Sequence, residues 1–380
     1  MEFCRYLLAY FVRIVYHDGI QMQFRLQSYN KIREIIFMEQ YLDYIMEQLE
    51  KLIAIDSPSG FTDNVADYLI AEYTRLGYSP KRTVKGGVIT EIAGEGDPVL
   101  VMAHVDTLGA VVSEIKSNGR LRLSPVGGFH ASNAEAHNCR VYTYDGRIYD
   151  GTIQLEDASI HVNKDYSSTQ RTFQSVELVL DEPVTSKDDV KALGITNGCF
   201  VCADPNFTVT SSGYIKSRFL DDKLSAAILL GYAKYIRDNH ITPLRKVYQH
   251  MTVFEEVGHG ACASIPEEIT ELLSVDMGCV GNGLECTERQ VSICAKDSRG
   301  PYSYQVTTSL VKAARGAGVD YAVDVYPFYG SDADAALSAG KDARHGLIGA
   351  GVYASHGYER THKDGVLNTF RLLCAYLNGR

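Results

Sequence analysis

The chain has 380 residues and a formal net charge of −10, with 37 Lys and Arg against 47 Asp and Glu. That balance, with no basic run, argues against a nucleic-acid or anionic-membrane surface, and no stretch reaches the roughly 18 apolar residues of a membrane span. Nine cysteines, an odd number scattered along the chain, read as free thiols, and the apolar start is broken by Arg5 and Arg13 with no cleavage site after it, so a cytoplasmic protein is expected.

Residues 1–37 are aromatic-rich with no clean period and read as an extension. From Met38, apolar residues at Leu42, Ile45, Met46, Leu49, Leu52 and Ile53 recur at three and four, one face of an amphipathic helix. The turn "DSPSG" follows, and Thr62 is placed to cap a second helix that stops near Gly77. "VITEIA" and "PVLVMA" then read as strands, the second leading into "HVDTLG" at the strand end, where open α/β sheets bind ligands.

Between 109 and 207 the texture changes to short alternating segments parted by turns, such as "GRLRLSPVGG" and "RVYTYDGRIYDGTI", which predicts a small all-β module inserted into an α/β domain. Cys199 and Cys202 form a CxxC inside it, but no second pair exists, so they are expected to pack rather than bind zinc. The α/β pattern then resumes: a helix over about 222–237, strands at 247–254, "LLSVDM", "YAVDVY" and "GLIGAG", and helices near 302–315 and 364–377. The expected division is 38–108 and 208–380 for the main domain and 109–207 for the insert.

Polar residues cluster where these elements end: His104 and Asp106 in "AHVD", Asp221 and Asp222 in "FLDDKL", Glu255 and Glu256 in "FEEVG", Asp276 in "SVDMG" and His362 in "ERTHKDG". Singly, each has a bland explanation as a cap or turn residue. Together, imidazoles and carboxylates at strand ends form a ligand set suited to divalent zinc, cobalt or manganese. A bound cation would also account for two adjacent carboxylates at a core exit, which repel each other unless something positive holds them.

The ordered set AHxD, DDK before an "AAILL" helix, EEVG, VDMG and a late His resembles the dinuclear metallo-aminopeptidases, a family that includes the glutamyl aminopeptidases and the tetrahedral aminopeptidases. The segments "GAVVSEIKSNGRLRLSPVGG" and "GSDADAA" match as well. The resemblance implies a three-layer α/β/α sandwich of the zinc-peptidase type with an inserted β-barrel that mediates dimerisation, in many members within a twelve-subunit shell. It implies that two metals are held with Asp221 bridging, His104 and Asp276 completing one site, and Glu256 and His362 the other. Glu255 would be the general base toward a bridging water, Asp106 would orient His104, and the Asp221–Asp222 peptide would be cis. The implied activity is removal of N-terminal residues from peptides.

Three departures stand out. Thr107 occupies a position where the family commonly has Glu, "GHGA" is a residue shorter than the usual loop and carries His259, and "YERTHKDG" replaces a usual "RYxHS", which favours His362 and leaves His356 in reserve. A carboxypeptidase or amide deacylase on the same scaffold stays open, as does a noncatalytic paralogue. A glycoside hydrolase using two carboxylates is disfavoured, because adjacent residues on one strand point apart.

Overall fold

Two separated stretches of the chain build one sheet, and the stretch between them closes on itself as a barrel. The structure, a computed structural model, describes residues 38–379; the segment 1–37, expected to be an extension, lies outside them. The strands in chain order are β1 (Lys81–Arg82), β2 (Val88–Ala93), β3 (Pro98–His104), β4 (Gly109–Ile115), β5 (Leu121–Val126), β6 (His137–Tyr142), β7 (Ile148–Leu155), β8 (Val176–Leu180) and β9 (Phe200–Ala203). They continue with β10 (Thr208–Val209), β11 (Tyr214–Ser217), β12 (Lys246–Thr252), β13 (Glu271–Val275), β14 (Gly278–Val280), β15 (Val291–Lys296), β16 (Tyr321–Val325), β17 (Arg344–Tyr353) and β18 (Glu359–His362). The helices are α1 (38–53), α2 (Asp63–Arg75), α3 (Ala131–Ala134), α4 (Lys187–Ala192), α5 (Leu220–Asp238), α6 (Tyr304–Ala317), α7 (Asp332–Ser338) and α8 (Lys363–Asn378).

The main sheet has 12 strands, with the path β1-β2-β12-β3-β13-β17-β18-β11-β10 and β14, β15 and β16 joined beside β17. β12, β3, β13 and β17 run parallel, with Thr252 level with His104. They are buried along almost their whole length because both faces are covered, as in buried parallel sheets, with Gln249, His250 and Ser274 among the polar side chains taken into the interior. On β3, Val99, Val101 and Ala103 face the larger core with α1, α2, α5 and α8. Leu100 and Met102 face a smaller core closed by Ala261, Ile269 and the Ala333 and Ala336 side of α7. Three layers result, as the resemblance implied.

The insert is a closed barrel in the order β4-β5-β8-β7-β6-β9. Its strands alternate, Gly151, Ile153 and Leu155 of β7 being buried and their neighbours more exposed, the period of two that made it legible. Cys199 and Cys202 are buried free thiols in its wall. Asp56, from the turn after α1, anchors the barrel by accepting from Arg140 Nε at 2.6 Å, Arg140 Nη2 at 2.8 Å and the Tyr142 hydroxyl at 2.6 Å. Among the described residues no helix is long and apolar enough to cross a membrane.

His250, in the middle of β12, is 2% exposed and its Nδ1 has no hydrogen-bond partner. Burial, with the Lys85 charge adding to it, pushes its pKa down to about 4. The ring is therefore neutral in the fold at pH 6, whereas in the unfolded chain it takes a proton below about 6.5. This group's share of stability is present above that value and drains by about 1.4 kcal/mol per pH unit as pH falls from 6.5 toward 4. His250→Gln is expected to lose less stability between pH 7 and pH 5 than the parent, measured as urea midpoints at both pH values. An equal loss in both proteins would place the acid sensitivity elsewhere.

Candidate metal centre

The parallel strands leave the core at one edge, and the chemistry collects there. His104 ends β3, Asp276 follows β13, Glu255 and Glu256 follow β12 after Phe254 at φ 71°, and Asp221 stands at the entrance to α5. The Asp221–Asp222 peptide is cis.

His104 Nδ1 lies 2.9 Å from the Asp106 main-chain carbonyl, which can only accept, so Nδ1 carries the proton. Nε2 is left to face Asp221 Oδ1 at 3.1 Å and Glu255 Oε2 at 3.7 Å. The Asp106 carboxylate has another duty than the one read from sequence. It accepts from the Ser59 hydroxyl at 2.5 Å and from the amides of Glu255 and Glu256 at 3.2 and 3.4 Å, while standing 3.7 Å from Nδ1. Asp106 thus orients the imidazole through its backbone and fixes the Glu pair through its side chain.

Two groups of donor atoms form, each within 4.8 Å of one another: His104, Asp221 and Asp276, and Asp221, Glu256 and His356. Asp221 is common to both, its Oδ2 lying 3.6 Å from His356 Nε2, which is 3.5 Å from Glu256 Oε2. The first group is buried throughout; in the second, the His356 side chain is 38% exposed and opens to a cavity of about 570 Å³.

His362 is not brought to either group. β18 runs antiparallel to β17, so its beginning and the turn before it lie at the edge where these donor groups collect while its end points away. His356 sits in that turn. Both ring nitrogens of His362 are committed elsewhere: Nε2 donates to the Ser212 carbonyl at 2.9 Å and Nδ1 accepts from the Asp364 amide at 3.0 Å, capping α8. The close approach of Gly213, where a Cβ would stand 2.7 Å from Nε2, leaves room for that ring. The structure groups the reserve candidate, His356, and not His362, with Asp221 and Glu256. His259 also stays out, exposed and stacked on Phe254 at 5.2 Å.

The electrostatics fit a divalent cation pair. Burial pushes Glu255, Glu256 and Asp222 well above the usual carboxylate range, with neighbouring carboxylates adding to it, and raises Asp276 to about 7. Burial alone would lower the pKa of His104, but the bond to Asp221 and the charges of Glu255, Asp276 and Asp222 hold it well above the ordinary value. Glu256 Oε1 is buried with no partner in the protein. A buried excess of negative charge with an orphaned oxygen is unfavourable unless it coordinates something positive.

Sequence reading missed Asp332, the first residue of α7, whose carboxylate accepts from the Thr252 hydroxyl and from the Ala261 amide at 2.7 Å and so ties down the loop after Glu256. The signal was present in "GSDADAA", read only as a matching segment.

Residues 86–372 match the M42 glutamyl aminopeptidase family. The chain belongs to that family. YhfE of Bacillus subtilis (strain 168) is 43% identical to this M42 chain over 87% of its length and 96% of YhfE. The glutamyl aminopeptidase of Lactococcus lactis subsp. cremoris (strain MG1363) is 24% identical over 56% of this chain and 60% of its own. Among solved structures, the Pyrococcus horikoshii TET1 peptidase, which can assemble into a tetrahedron or a large octahedral shell, superposes with a TM-score of 0.76 at 24% identity, over 87% of this chain and 98% of that one. A TET aminopeptidase from a marine sediment Thaumarchaeota archaeon gives a TM-score of 0.80 at 19% identity, over 88% and 96%. These likenesses show a shared fold. Membership of M42 makes the protein a hydrolase of the aminopeptidase kind.

Proposed function

We propose that this M42 protein removes N-terminal residues from peptides, using two divalent cations, with zinc favoured and cobalt or manganese as alternatives. The observation that carries the proposal is the pair of donor groups sharing Asp221. His104, Asp221 and Asp276 would hold one cation and Asp221, Glu256 and His356 the other; bound there, the pair would polarise the scissile carbonyl and lower the pKa of an attacking water. Glu255, beside His104 Nε2 but outside both donor groups, would take the proton from that water and deliver it to the leaving amine. Asp106 keeps Glu255 in place through its amide and keeps the His104 lone pair turned inward.

Self-association through the barrel, as a dimer and on to a dodecamer, belongs to the same proposal, supported by the shell-forming TET1 relative in fold; so does a cytoplasmic location. Chelation should abolish turnover of a peptide with a free N-terminus, and added zinc or cobalt should restore it, while the N-acetylated peptide stays intact. Release of the C-terminal residue from the acetylated peptide would favour the carboxypeptidase reading, and loss of its acetyl group the deacylase reading.

A further inference from the structure

The two donor groups are built differently. His104 and Asp276 are fixed at the ends of parallel strands. His356 hangs in the turn between β17 and β18, where Ala354 and His356 both hold left-handed backbone, φ 60° and 62°, a region that non-glycine residues rarely keep without support. The turn has one internal bond, from the Gly357 amide to the Ala354 carbonyl at 3.0 Å.

The support comes from two side chains that grip the peptide groups of His356. Glu359, 2% exposed, accepts the His356 amide on Oε1 at 3.1 Å and the Asp221 amide on Oε2 at 3.1 Å. One carboxylate thereby sets the spacing of two residues whose side chains face each other across the second donor group. Asn133, at the short helix α3 of the insert, donates from Nδ2 to the His356 carbonyl at 3.0 Å. The Asn133 carbonyl in turn accepts from Arg218, three residues before Asp221. The imidazole lies against Gly128 of the insert, where a Cβ would come within 2.4 Å of Nδ1.

Resting on the two-metal reading above, we propose that Glu359 and Asn133 are positioning residues for the second cation site, so that the inserted barrel domain helps to build a metal site in the catalytic domain. The turn is also tied by the Tyr358 hydroxyl to the Asn206 carbonyl at 2.8 Å, but the circuit Asp221, Glu359, His356, Asn133, Arg218 is what grips the His356 peptide groups and keeps its ring from swinging into the cavity. The circuit touches neither His104 nor Asp276, and the first group meets it only at the common donor Asp221, which His104 Nε2 also faces at 3.1 Å.

The test uses the full chain stripped of metal and titrated with cobalt(II), following visible absorption and heat. The parent is expected to take up two equivalents. Glu359→Gln keeps the shape, but its amide nitrogen cannot accept one of the two N–H groups. It is expected to bind the first equivalent as the parent does and the second about 10- to 100-fold more weakly, with turnover recovered at high cobalt. Asn133→Ala should shift the second step in the same direction, and it carries the test if Glu359→Gln does not fold. Two parental steps in both variants would overturn the proposal, as would joint weakening of both steps with a lower melting temperature. Uptake of fewer than two equivalents by the parent would instead overturn the two-metal reading.

Discussion

Glu255→Gln is expected to lower peptide turnover by about 100-fold or more while metal content stays at the parental level. Gln keeps the shape but cannot accept a proton, and Glu255 lies outside both donor groups, 3.7 Å from His104 Nε2. Glu256→Gln should behave differently, since Glu256 belongs to the group with Asp221 and His356. Losing a charged donor weakens one cation site, so metal content should fall and added zinc or cobalt should partly restore activity. Elemental analysis and turnover on both variants decide it. Metal loss in Glu255→Gln with retention in Glu256→Gln would reverse the two roles, and full activity with full metal in both would remove the dipeptide from the chemistry.

The second large effect separates the two candidate histidines by giving both the same replacement. His356→Asn should lose about one metal equivalent and most activity, because an amide is a poor substitute for an imidazole donor beside Asp221 and Glu256. His362→Asn should keep both, since its duty is to cap α8 and Asn is a good N-cap. The reverse pattern in metal content would return His362 to the site and show that the turn before β18 does not deliver a ligand.

Much of the candidate site was legible because several of its donor residues stand where apolar runs stop. "PVLVMA" and "LLSV" are mainly apolar runs, and the points where they stop lead to His104 and Asp276. β18 offers no such cue. Its residues Glu359, Arg360, Thr361 and His362 include no apolar side chain, and it is a strand only because β11 and β17 pair with it. His362 does end a strand; what periodicity cannot supply is the strand's direction, and that decides which end meets the candidate site. β15, "VSICAK", is hard to see for a related reason, Ser292 and the terminal Lys296 breaking the apolar run of a strand that pairs with β16 and β17. At Asp106, local sequence suggests a side-chain contact with His104 where the backbone carbonyl makes it.

β3 lies between β12 and β13, both of which follow the barrel in the chain. A ribosome therefore releases β2 and β3 long before their central partners exist, while every strand of the barrel arrives in one uninterrupted stretch. The barrel can close during synthesis, but β3 must wait with both edges unpaired and its apolar faces uncovered. Pairing across so long an intervening segment also slows the final step, since distant contacts form late. The period of greatest aggregation risk falls between completion of the barrel and the arrival of β12, and holding β3 soluble through that interval is the task this topology sets for the cell's chaperones.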